Sequence, residues 1–575
     1  MVPNFLVIGT ILFLGISLGI LSGILPKKIN LIVEVAIVIG VTIYLFVSYS
    51  FGEAMLLISL GAASYAEFAQ LFERGKRIKR QEIMGFLATV EYVEIKQKRE
   101  MKRLLMDYTI TLFVSFGAIS FLLFGPETYA VIKLFIGFML ISIVVQSIIR
   151  LGNFGTTSIY FIPKDERIVI VSRFQSRDYP LHDVKDVTVE TSVDLLKLHP
   201  MFSFLSSNLD FTQSFQKVLK LTFPGEILYL TPIEVEKWSH QLRAFLPTAN
   251  LEEEKKVLPL WHSSNLKRLF WKGYFAITIK GISGYTGLLL LLIWLDVPIV
   301  AMIITIVGWW LLNLYVSDKV LRAGSDAIPV LDGDLYERAK KIFAKAGIPN
   351  AKLYISESPI YNGLATGMNI GSGTVILTSA TLQLPSDSVD AILAHEAVHV
   401  KKRDVLTIQL TRLLYIGMLA TVVYFLFDEL KWLAENHGVL LFVIVYGIMF
   451  AFPLLLSFVS QWTEVRADYL GAGLLPNGRR QLAQGLIDLT INQEKDVDKS
   501  MEYQFSNQQM PTAKKSGVER DTWGWRFLEF QFLPHPPMYW RIHSLNSYKD
   551  WTTIRKDWLK DRWKESIPDR FRKRV

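Results

Sequence analysis

The chain has 575 residues, 51% of them hydrophobic, a formal net charge of +9 from 62 Lys and Arg against 53 Asp and Glu, and no cysteine. That apolar share exceeds what a soluble globular protein normally carries, so a membrane protein is the first expectation. Without cysteine there is no disulfide framework, no thiolate metal site and no Cys nucleophile, which leaves His, Asp and Glu as metal ligands.

A helix needs about 20 apolar residues to cross a ~30 Å hydrocarbon core. Windows of that kind, almost free of charge, run over Asn4 to Leu25, Leu31 to Ser50, Tyr108 to Gly125, Tyr129 to Leu151, Tyr274 to Leu295, Val297 to Val316, Val405 to Phe427 and Val439 to Val459. A ninth, Phe51 to Phe72, carries Glu53 and Glu67 near its ends and reads either as a span or as an interfacial amphipathic helix. The first window has no basic residues ahead of it and no cleavage site, so it reads as an uncleaved span. Lys and Arg gather beside the windows, at Arg74 to Arg103 and in the tail Arg555 to Arg574, a placement that sets topology rather than one that binds nucleic acid. With the stretch from Arg74 to Arg103 inside, counting spans puts residues 152 to about 272, residues 318–404 and the C-terminal third in the cytoplasm. The acidic loop with Asp428, Glu429 and Glu435 then lies outside. The organisation read from this is a membrane region over 1–151 with four or five spans, a soluble β-rich domain over 155–247, a membrane hairpin over 274–316, a domain over 318–546 that includes the hairpin 405–459, and a basic tail over 547–575.

In the β-rich region the strand runs are Thr157 to Ile162, Arg167 to Ser172, Val184 to Val189, Val218 to Phe223 and Glu226 to Leu230, with a turn at Pro224-Gly225 and a closing helix over Ile233 to Phe245. Several strands followed by one helix resemble a bacterial PH-like domain, which implies either lipid or protein docking or a plain positioning role.

Chemistry concentrates further on. The segment Ala391-Ile-Leu-Ala-His395-Glu396-Ala-Val-His399-Val-Lys-Lys-Arg-Asp404 contains HExxH. Pro385-Ser386 begins a helix there, Asp387 and Asp390 suit its positive end, and Lys401, Lys402 and Arg403 suit the other. Residues four apart share a helix face, so both imidazoles can meet one metal while Glu396 reaches the water that the metal activates. A catalytic zinc takes three protein ligands and keeps one open position. Beyond the hairpin, Gln461-Trp-Thr-Glu464-Val-Arg-Ala-Asp468 offers Glu464 as a third ligand, with Asp468 behind it to accept from an imidazole N–H. Two exposed histidines and a solvated acidic face are the plain alternatives.

HExxHxxxxD, a two-span hairpin and ExxxAD together resemble the M48 family of membrane metalloproteases, of the HtpX and Ste24 type. Asn362-Gly-Leu-Ala-Thr-Gly367-Met-Asn369 followed by Thr374-Val-Ile-Leu-Thr378 is similar to that family's NAFATG hairpin, and His535-Pro536-Pro537 with Arg541-Ile542 is similar to its HPP…RI element. Gly363-Leu364 departs from the usual Ala-Phe, a change in the substrate pocket and not in the metal site. The likeness covers about residues 318–546.

The resemblance implies a mainly α-helical, gluzincin-type zinc protease domain with a small β-hairpin, set in a multi-span α-helical membrane protein beside the small β-rich domain. His395, His399 and Glu464 would hold one Zn2+, with Asp404 and Asp468 behind them and Glu396 as general base. His535 or Arg541 would meet the developing oxyanion. Asn362, Thr374, Val375, Ile376 and Leu377 would bind substrate, the apolar run serving as an edge strand for strand addition. The other histidines, at positions 182, 199, 240, 262, 437 and 543, lack partners at ligand spacing, and Trp309 and Trp310 read as interfacial anchors. The expected partners are protein or peptide substrates, membrane proteins foremost, and the bilayer, with no nucleic acid. The expected activity is that of an endopeptidase acting on membrane or unfolded proteins at the cytoplasmic face of the cell membrane, with quality control as the role the family implies; a CAAX-type processing protease, a sensor protease and an inactive scaffold docking through the β-domain stay open as alternatives.

Overall fold

The computed structural model describes residues 5–49, 51–124, 130–199, 208–246, 254–275, 295–366, 373–505 and 515–569, with the single positions 202, 288 and 292. The chain divides into two compact units, Met1–Ile306 with Asp496–Thr512, and Val307–Lys495 with Ala513–Val575. Six helices among the described residues are long and apolar enough to cross a membrane: Val7–Ile24, Ile29–Ser48, Met101–Phe124, Ile299–Gly324, Asp404–Phe425 and Gly438–Ala472. The expected window at Tyr129 to Leu151 begins outside the described residues and continues as the helix Ala130–Thr156, and most of Tyr274 to Leu295 lies outside them.

In the first unit, the doubtful window forms the helix Phe51–Leu71. It runs parallel to the first helix, because Gly15 faces Gly61 and Ser64 while Gly19 faces Tyr65, Phe68 and Ala69. A Cβ at Gly15 would stand 2.5 Å from the Gly61 carbonyl oxygen, so glycine is what lets the two backbones approach. Lying alongside a candidate span through successive turns, this helix follows that span's course and does not lie flat beneath it.

The β-rich domain has two four-stranded sheets. One joins Val93–Glu94, Ser158–Ile162, Arg167–Val171 and Arg177–Pro180, and the other joins Asp186–Glu190, Val218–Phe223, Glu226–Leu230 and Asn208–Asp210. The helix Val235–Arg243 covers them, burying Trp238 and Leu242. Two parts come from outside the expected boundaries. Val93 pairs with Phe161, and Ile95 is buried in the same core as Ile159 and Leu230, so part of the basic stretch is structural. The far end of the helix Gly478–Gln504 also belongs here: Tyr503 is buried against Tyr179 and Phe223, Lys185 Nζ meets Asp496 at 2.6 Å, and Tyr503 donates to Asp183 at 2.9 Å. Gly225, at φ +72°, makes room for this helix, since a Cβ there would stand 2.7 Å from the Asp496 carbonyl oxygen. At the base of Met101–Phe124 and Ala130–Thr156, buried Arg103 and Arg150 pair with Asp107 and Asp210, Arg150 Nε reaching Asp107 at 2.7 Å and Arg103 Nη2 reaching Asp210 at 2.9 Å. Buried charges persist only when paired in this way.

The second unit holds one four-stranded sheet in the order Gly363–Thr366, Thr374–Thr378, Lys352–Ser356, Ile328–Pro329. The expected edge strand is therefore corrected. Val375, Ile376 and Leu377 lie in an inner strand, fully buried, with Gly363–Thr366 on one side and Lys352–Ser356 on the other. Their apolarity on both faces is what a central strand requires, each side chain contributing about 1.5–3 kcal/mol by burial. The edge is Gly363–Thr366. Below it lies the helix Ser386–Lys402, which begins after Pro385 and ends at Arg403 in the left-handed conformation, φ 55°. The amphipathic helix Asp334–Ala346 packs on it through Ala339, Ile342, Phe343 and Ala346. Two glycines allow close crossings: Gly471 lies over His395 and Gly485 over Ala391.

The docking of Tyr503 makes a stability prediction. Tyr503→Ala should weaken the β-rich domain by about 3–5 kcal/mol, the usual cost of removing a buried aromatic ring. Native-state proteolysis within residues 158–246 should accelerate accordingly, and an unchanged cleavage rate would show that the ring contributes nothing there.

Candidate metal centre

Helix periodicity puts His395 and His399 on one face of Ser386–Lys402, with their Nε2 atoms 3.0 Å apart. The long helix Gly438–Ala472 supplies the third group. Glu464 Oε1 lies 3.2 Å from His399 Nε2, and Glu464 Oε2 lies 3.4 Å from His395 Nε2. The three side chains are buried and could hold a metal ion, their ligand atoms all lying within 4.8 Å of one another. Each imidazole has its other nitrogen against a carboxylate, His395 Nδ1 at 2.9 Å from Asp468 and His399 Nδ1 at 2.7 Å from Asp404. That arrangement turns both Nε2 lone pairs inward.

The donor set fits a cation on a further count. Glu464 Oε2 is buried and accepts no hydrogen bond, although His535 Nδ1 lies at 2.9 Å and Arg541 Nη1 at 3.4 Å. A buried acceptor left without a hydrogen bond beside two ring nitrogens is the kind of gap a metal ion fills. Burial by itself would lower both imidazole pKa values. Around His395, Asp468 and Glu464 outweigh burial and raise the pKa, and around His399 the Glu464 charge and Asp404 raise it well above the ordinary value. A proton and a metal ion thus compete for the same nitrogens, and metal uptake weakens as pH falls.

Glu396 is buried beside this pair and close to the edge strand: a Cβ at Gly363 would stand 2.9 Å from its Oε1. Asp404 and Asp468 lie against the outer nitrogens of His399 and His395. Arg541 does not face an open cleft. Its guanidinium is 5% exposed and grips Asp468 with two hydrogen bonds, Nε to Oδ2 at 2.8 Å and Nη2 to Oδ1 at 2.7 Å. His535 is 61% exposed at its side chain. Asn362 is exposed next to the edge strand, and its backbone N–H donates to Thr378 and Thr381. The hairpin tip at 367–372 lies outside the described residues. One supporting residue was missed from sequence. Arg466 pairs with Asp404 and stacks over Trp462 at 4.5 Å. A cation two places after Glu464 is its only sequence signal, and nothing local ties it to Asp404.

Two histidines from an HExxH helix, joined by a glutamate from a later helix, match the ligand pattern of a gluzincin-type metallopeptidase. Comparison with known proteins agrees. Residues 329–549 match the family described as Peptidase family M48, and residues 158–246 match the Bacterial PH domain. Among relatives, a "Protease HtpX homolog" of Pelotomaculum thermopropionicum is 38% identical over 103 residues, covering 17% of this chain and 37% of its own. Another "Protease HtpX homolog", of Nitrosomonas eutropha, is 29% identical over 38% of this chain and 72% of its own. The "Protease HtpX" of Xanthomonas axonopodis pv. citri is 29% identical over 37% of this chain and 71% of its own. The matched part thus spans just over a third of the first relative and about seven tenths of the other two. A crystal structure of S. mikatae Ste24p aligns at TM-score 0.34 and 18% identity, covering 50% of this chain and 66% of that one. Residues 329–549 thus resemble an M48 peptidase domain, and the relatives that share this part are HtpX proteases.

The supporting arginine can be tested apart from the ligands. Arg541→Lys keeps a charge but loses the two-pronged grip on Asp468, and metal affinity should fall by about 10–100-fold. Glu464→Ala, which leaves two imidazoles alone, should fall much further. Equilibrium dialysis against a metal buffer measures both, and wild-type affinity in Arg541→Lys would remove the residue from the site's support.

Proposed function

We propose that the protein is a zinc-dependent endopeptidase that cleaves membrane or unfolded proteins at the cytoplasmic face of the membrane. The observation that carries this reading is the buried triad of His395, His399 and Glu464, with Glu396 adjoining it. Zinc bound there would acidify a water molecule and polarise the scissile carbonyl. Glu396 takes the proton from the attacking water and returns it to the leaving amine. His535, exposed and 2.9 Å from Glu464, is better placed than Arg541 to meet the oxyanion, because the Arg541 guanidinium is held by Asp468.

Substrate orientation follows from the sheet. The edge strand Gly363–Thr366 pairs on one side with Thr374–Thr378, and no described strand lies on its other side. An extended peptide adding there would pass beside Glu396, since Gly363 is the residue packed against that carboxylate. Adding a strand needs an unfolded segment, which favours unfolded or membrane-extruded chains over compact ones.

The helix Gly438–Ala472 supports a site at the membrane face. Its apolar run ends at Val459, and Glu464 comes five residues later on the same helix, about 7–8 Å along the axis. The metal centre then lies just past the hydrocarbon boundary. Nine spans, including Phe51–Leu71, put the basic residues after it inside and the N-terminus outside.

Glu396→Gln preserves shape without a basic oxygen, so it should retain zinc and lose hydrolysis of casein by at least about 100-fold, the lower end of general-base contributions. Wild-type turnover in that variant would end the assignment. For topology, a single cysteine at Asn436 should react with an impermeant maleimide in intact cells, and one at Ser516 should not. The opposite labelling would place the site outside.

A further inference from the structure

The helix Trp551–Glu565 sorts its charges by face. From its second turn onward the exposed positions are Arg555, Lys556, Leu559, Lys560, Trp563 and Lys564, four cations and two large apolar side chains, with Trp563 74% exposed. Of the acids on the same helix, Asp561 and Glu565 turn toward the protein, and Asp557 is neutralised by a neighbouring lysine. Asp557 meets Lys549 Nζ at 2.6 Å, Asp561 accepts from Trp540 Nε1 at 3.0 Å, and Glu565 meets Arg526 Nε at 2.7 Å. A solvated surface helix normally mixes both signs on its outer face. This stripe is cationic throughout, broken only by tryptophan and leucine.

Its attachment points in the same direction. Trp558, on the buried face, packs on Phe458 with ring centroids 5.1 Å apart, and Arg562 Nη1 donates to Gln461 at 2.7 Å. Phe458 belongs to the apolar run of the spanning helix, and Gln461 is two residues past its end. The neighbouring helix Trp523–Gln531 is fixed at the same level, by Ser457 donating to the Leu533 carbonyl at 2.7 Å and Gln461 donating to the Glu529 carbonyl at 2.8 Å. This helix and the turn after it expose large apolar groups, with Trp525 50% and Leu528 43% accessible on the helix and Leu533 49% accessible on the turn. These surfaces therefore adjoin the end of a membrane span, where the headgroup region begins.

We infer that this cationic and aromatic face docks on the anionic phospholipid of the leaflet next to the metal centre. Lys and Arg would pair with lipid phosphates, while Trp563, Trp525 and Leu559 would enter the boundary between headgroups and acyl chains, where amphipathic rings are most stable. Charge complementarity favours lipid, and so does continuity with the spanning helix. An acidic protein partner would satisfy the cations but not the apolar groups between them at bilayer level. The inference does not depend on catalysis.

The cysteine-free chain allows a direct test with the full-length protein in nanodiscs. A nitroxide on Trp563→Cys is read by collision with oxygen, which partitions into lipid, and with a water-soluble nickel chelate. In discs containing phosphatidylglycerol the label should favour oxygen, and in pure phosphatidylcholine it should favour nickel. Adding R555Q, K556Q, K560Q and K564Q should return it to nickel in both, with metal content unchanged to show that the domain still folds. Nickel preference in both lipids overturns the inference, as does equal oxygen preference in both. A label open to nickel in discs but shielded in native membranes would assign the surface to a protein partner and overturn it as well.

Discussion

The metal centre depends on a chain of alternating charge that ends in two inward-facing lone pairs. Placing two imidazoles with their Nε2 atoms 3.0 Å apart in a buried site is unfavourable unless their outer nitrogens are held. Asp404 and Asp468 do the holding, and both are themselves buried. A buried carboxylate beside a neutral ring would be costly, so each has its own guanidinium: Arg466 for Asp404 and Arg541 for Asp468. Removing one arginine leaves a carboxylate uncompensated and frees the ring in front of it. The two imidazoles are thus the inner ends of two ionic chains, one through Asp404 to Arg466 and the other through Asp468 to Arg541.

That constraint explains the distribution of groups along the sequence. His395 and His399 share one helix because four residues return to the same face. Glu464, Arg466 and Asp468 share another, the helix whose earlier residues cross the membrane. A ligand carried on a spanning helix has its depth fixed by the apolar run beneath it, which a loop would not ensure. Close approach of the two helices then requires a residue without a side chain where Gly471 lies over His395, since a Cβ there would stand 3.2 Å from the His395 Cα.

The readable part of this arrangement was whatever repeats at helix spacing or is written as a contiguous motif. HExxH and Glu464 with Asp468 fall in that class, as do six of the apolar windows and five of the strand runs in the β-rich domain. What escaped was pairing across long separations. Ile95 and Tyr503 join one core from positions more than 400 residues apart, and neither carries a local sign of it. Arg103 and Arg150 look like membrane-flanking charge in sequence, yet both are buried against Asp107 and Asp210. The edge strand of the sheet was misassigned for a different reason. Val375-Ile376-Leu377 has the β-branched composition of any strand, and only its lack of polar alternation distinguishes an inner strand from an edge.

The helix Gly478–Gln504 supports the HExxH helix from outside the metal centre. Leu482, Ala483 and Leu486 belong to the core that also contains Ala391 and Leu393 of the HExxH helix, and Gly485 makes room for Ala391. Ser388, in the first turn of the HExxH helix, donates to Asp488 at 2.5 Å, and Gln493 accepts from the Tyr361 backbone next to the edge strand. The ligand helix is therefore held along its flank by Gly478–Gln504, through the apolar contacts of Leu482, Ala483 and Leu486 and the hydrogen bond from Ser388, while Gln493 fixes the backbone that leads into the edge strand.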